Sequence, residues 1–120
     1  GEPVILDAEC ATMSDPAFDV AFCLNHLILK AFHIPGDRGS LLARAAEFAT
    51  AHAGHVTWEE VASLEGRVAR LVPMLMLARI DGKSPVEYLD EPTRQAVRGS
   101  ASALIAHPPS TLNELTERLP

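Results

Sequence analysis

VILDAECATMSDPAFDVAFCLNHLIL, residues 4–29, is the stretch on which the reading of this chain turns. It opens on a short apolar run, Val4-Ile5-Leu6, that ends on a carboxylate, Asp7. A turn-like interval follows over residues 8–14, and Asp15-Pro16 then starts what the pattern marks as the most buried helix. Residues 1–6 read as a strand, and a lone strand is not stable in water. An acid at the tip of a buried strand is costly, because an unpaired buried charge loses several kcal/mol of solvation. A bound metal ion is one arrangement that offsets this. An exposed turn acid is the plainer alternative for Asp7.

Further acids sit at fixed distances from the first. Asp15-Pro16 lies eight residues beyond Asp7, and Asp19 lies in the first turn of the helix that follows. Downstream, residues 78–89 read ARIDGKSPVEYL. The joint spacing of Asp7, Asp15-Pro16 and Asp19, together with this second segment, resembles the C-terminal part of the aminoglycoside phosphotransferase and choline kinase-like family. Those are ATP-dependent small-molecule kinases with a protein-kinase-like fold, and the resemblance covers about two-thirds of the chain.

The resemblance implies a mostly α-helical subdomain of a kinase-like C-terminal lobe, within one domain over residues 1–120. It implies that Asp7 contacts the nucleotide through magnesium, as a hard oxygen ligand suited to that ion. Glu9, two residues on, is a secondary candidate ligand. Asp19 would anchor the catalytic loop by accepting backbone N–H bonds; its plainer role is a first-turn acid facing the helix dipole. The family often carries an aromatic where Ala8 stands. Its Gly-rich phosphate cover, strand lysine, base aspartate and metal-binding asparagine all precede the Asp7 position. No catalytic residue is therefore assigned here. The chain reads as a C-terminal fragment, inactive alone, whose parent takes magnesium, ATP and a small-molecule hydroxyl acceptor such as an aminoglycoside.

Composition sets the outer bounds. The 120 residues suffice for one domain with a modest core. A hydrophobic content of 48% excludes a disordered chain, and 22% charged residues suits a soluble one. With one Trp, one Tyr and four Phe, the core must be built from Leu, Ala, Val and Ile. A net charge of −6 argues against a nucleic-acid partner and is compatible with a cationic small molecule. No basic start precedes an apolar stretch, and no run reaches the about 18 apolar residues of a membrane span. The expectation is a cytoplasmic protein without a membrane partner.

Helix signals recur along the chain. Asp15 as cap and Pro16 in the first turn begin a helix reaching about residue 32, with Phe18, Ala21, Phe22, Leu24, Leu27, Ile28 and Ala31 covering most of its circumference. Ser40 is a candidate cap for a helix over residues 41–52, stopped by Gly54. Thr57 and Glu60 have capping-box spacing and would open a third helix running to about Ile80, kinked at Pro73. Asp81-Gly82 closes it, and Ser84 to Glu87 is a second capping-box pattern for a short turn to Leu89. Asp90 would cap a helix over residues 91–106, and Ser110 would begin a last one. About five helices and at most one short N-terminal strand are expected.

Other candidate sites dissolve on inspection. Gly82-Lys83-Ser84 is no phosphate loop, because Leu77 stands where that loop requires glycine. His52 and His55 are spaced H-x-x-H but have no third ligand nearby, and Cys10 and Cys23 have no metal-site spacing. Cys23 and His26 read as residues of a packed helix. Glu59, Glu60, Glu65 and Asp81 make the middle of the chain acidic, which a solvated helix face explains. A haloacid dehalogenase-like phosphatase would need a second aspartate where Glu9 stands. The alternative to the phosphotransferase is a non-enzymatic helical module that self-associates as a homodimer through its N-terminal third, with Phe18 and Phe22 in the contact.

Overall fold

A computed structural model of the chain describes residues 1–8 and 11–120. Glu9 and Cys10 fall outside the described residues, and with them the secondary ligand candidate at Glu9. The described residues form five α-helices: α1 (Ala17–His33), α2 (Arg38–Ala53), α3 (Val61–Asp81), α4 (Glu91–Ala106) and α5 (Leu112–Glu117). No strand occurs among the described residues. The strand expected over residues 1–6 is not formed, because backbone pairing is non-local and no second segment lies alongside to accept its hydrogen bonds.

The helix starts show which local signals prevailed. Asp15 opens α1 as expected: its Oδ1 accepts the Ala17 N–H at 2.9 Å, and its carbonyl accepts the Phe18 N–H. A 3-10 turn, Pro35–Asp37, then leads directly into α2, with the Arg38 N–H bonded to the Pro35 carbonyl. Ser40 is therefore inside the first turn of α2 and caps nothing. The chain direction changes by 119° between α1 and α2. At α3 the Thr57 to Glu60 capping box does not form. Glu60 takes the cap position with extended backbone, and its carbonyl accepts the Ser63 and Leu64 N–H groups.

α3 runs through Pro73, which is buried. The proline lacks the N–H that would reach the carbonyl four residues back, and packing on both sides keeps the helix continuous. Residues 84–89 form no helical turn. Asp90 caps α4, accepting the Thr93 N–H at 2.9 Å, as the sequence indicates. α5 begins one residue later than the Ser110 reading. Thr111 Oγ1 accepts the Glu114 N–H, while Glu114 Oε2 accepts the Ser110 N–H.

α3 is the central helix, packed by α1 on one side and α4 on another, with α5 at its N-terminal half; α2 rests mainly on α1. Leu24, Ile28, Leu29, Val68, Val72, Met76, Ile80, Val97, Leu104 and Leu115 form the centre of the core. Each such side chain contributes about 1.5–3 kcal/mol by leaving water. α1 has one buried face rather than an apolar circumference. Ala17, Val20, Ala21, Leu24, Ile28 and Leu29 point inward, whereas Phe18 and Phe22 remain 45% and 40% exposed.

Candidate functional site

Asp7 stands at the end of the irregular N-terminal segment, with Val4, Ile5 and Leu6 exposed at 79%, 91% and 79%. Its φ is +62°, the only non-glycine residue with positive φ among those described. Asparagine and aspartate enter this left-handed region more readily than other non-glycine residues, and such conformations recur at functional sites. The Ala11 N–H is bonded to the Ala8 carbonyl at 3.0 Å. The Asp7 side chain is exposed to solvent.

Asp15 and Asp19, the other acids of the spacing, are divided in role. Asp19 is exposed in the first turn of α1, where a carboxylate faces the positive end of the helix dipole. Asp15 is tied down on two sides. Besides capping α1, it receives Arg67 Nε at 2.8 Å and Arg67 Nη2 at 3.1 Å. The same guanidinium donates to Glu59 Oε1 and Oε2 at 2.6 and 2.8 Å, and to the carbonyl and hydroxyl of Ser63. Bonding to Arg67 holds the Asp15 carboxyl below the usual carboxylate range, with the Ala17 N–H adding to the effect.

Arg67 is the residue the sequence reading missed. It sits on α3 and clamps the entry of α1 to the segment before α3. Its partners are 52 and 8 residues away, so no local pattern announces the role.

The last turn of α3 and the loop that follows it, residues 78–89, are pinned together. Arg79 donates to the Ser84 carbonyl and hydroxyl. Arg94 reaches the Ile80 and Val86 carbonyls, and Arg98 grips Asp81 in a bidentate pair at 2.8 and 2.6 Å. Arg98 lowers the Asp81 pKa by the same charge-assisted bonding. Val86 and Leu89 are buried, and the Lys30 ammonium lies 3.9 Å from the centre of the Tyr88 ring. Gly82-Lys83-Ser84 thus follows directly on the end of α3, with Arg79 holding Ser84 and Arg94 and Arg98 holding the residues on either side.

Most of the remaining polar candidates are engaged within the fold, while Glu60 and His55 are exposed. Among the acids of the middle segment, Glu65 Oε1 accepts the Leu112 N–H at 3.0 Å, while Glu59 and Asp81 pair with arginines. His52 lies between Phe48 and Trp58, with ring centroids 6.5 and 6.2 Å away. No group of three metal-ligating side chains is assembled among the described residues. His26 meets the edge of Phe22 at 4.8 Å, and its pKa is lowered by burial and then by Arg79 and Lys30.

The described residues thus make a mostly α-helical fold that presents one exposed, left-handed aspartate ahead of its first helix. Comparison of the chain with family models, curated proteins and solved structures returned no match. Among the described residues, no single helix is long and apolar enough to cross a membrane.

Proposed function

We propose that the chain is the C-terminal part of an ATP-dependent phosphotransferase acting on a small-molecule hydroxyl, with Asp7 as its magnesium-binding carboxylate. The observation that carries this reading is the exposed Asp7 at φ +62°, placed between an apolar segment and the Asp15-capped helix. Magnesium commonly takes only one or two protein carboxylates and completes its shell with phosphate and water oxygens, so a single exposed aspartate fits it. When bound, the ion neutralises charge on the transferring phosphate. The chain's own residues then have distinct tasks. Asp7 orients the ion. Arg67 fixes the segment that follows by holding Asp15, and Asp19, exposed on the first turn of α1, is available to anchor a neighbouring loop.

The test is ATP turnover by the whole protein that carries this segment. Asp7→Asn should lower kcat by about a hundredfold or more while circular dichroism stays unchanged. Undiminished turnover in that variant sinks the reading, as does ATP hydrolysis by residues 1–120 alone.

A second reading is a non-enzymatic helical module that self-associates. It is favoured by the exposed apolar residues Val4, Ile5 and Leu6 and by the stacked pair Phe18 and Phe22, whose ring centroids are 5.8 Å apart. Apolar groups displayed together in this way mark contact surfaces. Sedimentation at micromolar concentration should then report a dimer that Ile5→Asp dissociates. A strictly monomeric chain rules this second reading out.

A further inference from the structure

We infer that the cleft enclosed by α1, α2, α3 and α5 is a binding site for a neutral, apolar small molecule of about a dozen heavy atoms. The inference is independent of the phosphotransferase reading, since none of the residues used for that reading lines the cleft. The cavity has a volume of ≈ 280 Å³. The space is a half-open cleft rather than a sealed void, so a ligand can reach its apolar floor without the helices parting. It arises because α2 leans on α1 and does not pack closely on α3 or α5. The side of α2 facing the gap carries alanines, Ala45 and Ala49 among them, where larger side chains would have closed it.

The lining sets the chemistry of the occupant. Leu24 and Ile28 of α1, Val68 of α3 and Leu115 of α5 form an apolar floor. A dry cavity of about 150 Å³ lined by such residues takes up benzene, and roughly twice that volume suits a fused bicyclic or a short branched chain. Polar groups lie among the lining residues in small number, as in most small-molecule sites. His52 and Thr50 come from α2, Asn113 and Thr116 from α5, and Glu65 is the one acid. No Lys or Arg lines the cleft among the described residues. An anionic ligand would therefore meet a carboxylate with no compensating cation, while a neutral molecule with one hydroxyl can donate to Glu65 or His52. Glu65 stays in place because its Oε1 holds the Leu112 N–H.

The experiment uses a matched pair of probes, 1-naphthol and 1-naphthoate, titrated into the 120-residue chain. Binding is followed by calorimetry and by methyl NMR shifts of the unmutated protein. The expected result is one molecule of 1-naphthol per chain, with the largest shifts at Ala45, Ala49, Val68 and Leu115. Affinity for 1-naphthoate should be at least tenfold weaker. Ala49→Phe and Leu112→Trp, which fill the cleft from opposite sides, should each reduce 1-naphthol affinity at least tenfold while circular dichroism is retained. Absence of binding up to the solubility limit overturns the proposal. So do methyl shifts centred on the exposed Val4, Ile5 and Leu6 instead of the cleft, or equal binding of the anion.

Discussion

Asn25 is fully buried on α1, and neither its amide nitrogen nor its amide oxygen has a hydrogen-bond partner among the described residues. A buried amide left in this state loses its bonds to water without replacement, a cost of about 1–3 kcal/mol. Leucine has the same branching at this position and no polar atoms to satisfy. Asn25→Leu should accordingly stabilise the chain by about 1 kcal/mol in urea denaturation, with the slope unchanged. A destabilised variant would mean that the amide is satisfied by something that replaces water at that point. The residue scale also explains why the sequence spoke clearly at some sites and not at others. Asp7 was legible as an acid of interest from its neighbours, whereas its left-handed backbone is a property of the turn around it.

At the level of elements, the end of α3 rests on one atom-scale contact. A Cβ at Gly82 would lie 2.3 Å from the Ala78 carbonyl oxygen, far inside any tolerable separation. The backbone there has φ −86°, so the requirement is space rather than left-handed freedom. Gly82→Ala should cost about 2 kcal/mol, read from the urea midpoint, as overpacking generally does. Gly82→Asn, which would suit a left-handed cap, should fare no better; its full rescue of stability would refute the explanation. The sequence marked this glycine as a helix stop, and Asp90 and Asp15 as caps, because those signals act within three residues. It misplaced the start of α2, since a 3-10 turn supplied the geometry that Ser40 was expected to provide. The Thr57 capping box failed although its spacing is correct: Glu60 takes the cap position through its backbone, while Glu59 is drawn to Arg67. The N-terminal strand failed for a related reason, because strand formation depends on a partner and not on the run itself.

Across the whole molecule, exposed carboxylates hold segments together through arginines. Asp15, Asp81 and Asp90 all have pKa values pushed below the ordinary 3.8, by Arg67, by Arg98 and by the Thr93 cap respectively. In the unfolded chain these groups take up protons first as the pH drops. Their contribution is therefore fully present well above pH 3.8 and is lost as pH falls through their lower folded values. The urea midpoint should ease downward below about pH 6.5, where the unfolded His26 imidazole takes up a proton that burial resists in the fold, and decline steeply below pH 4. In the double variant Asp15→Asn with Asp81→Asn the decline should be shallower. An equally steep decline in that variant would show that other carboxylates govern acid unfolding.

The placement of α2 has a kinetic consequence. A helix that shares its main interface with one neighbour can detach without disturbing the rest of the core, so opening should occur in two cooperative units of unequal free energy. Amide protons in the middle of α2, Arg38–Ala53, should exchange with deuterium together and well before those in the middle of α3, Val61–Asp81. The amides of residues 67–76 other than Pro73, at the centre of the α3 ladder, should exchange only on global unfolding. If α2 and α3 amides exchange with one common free energy, the molecule opens as a single unit and α2 is held more firmly than its packing indicates.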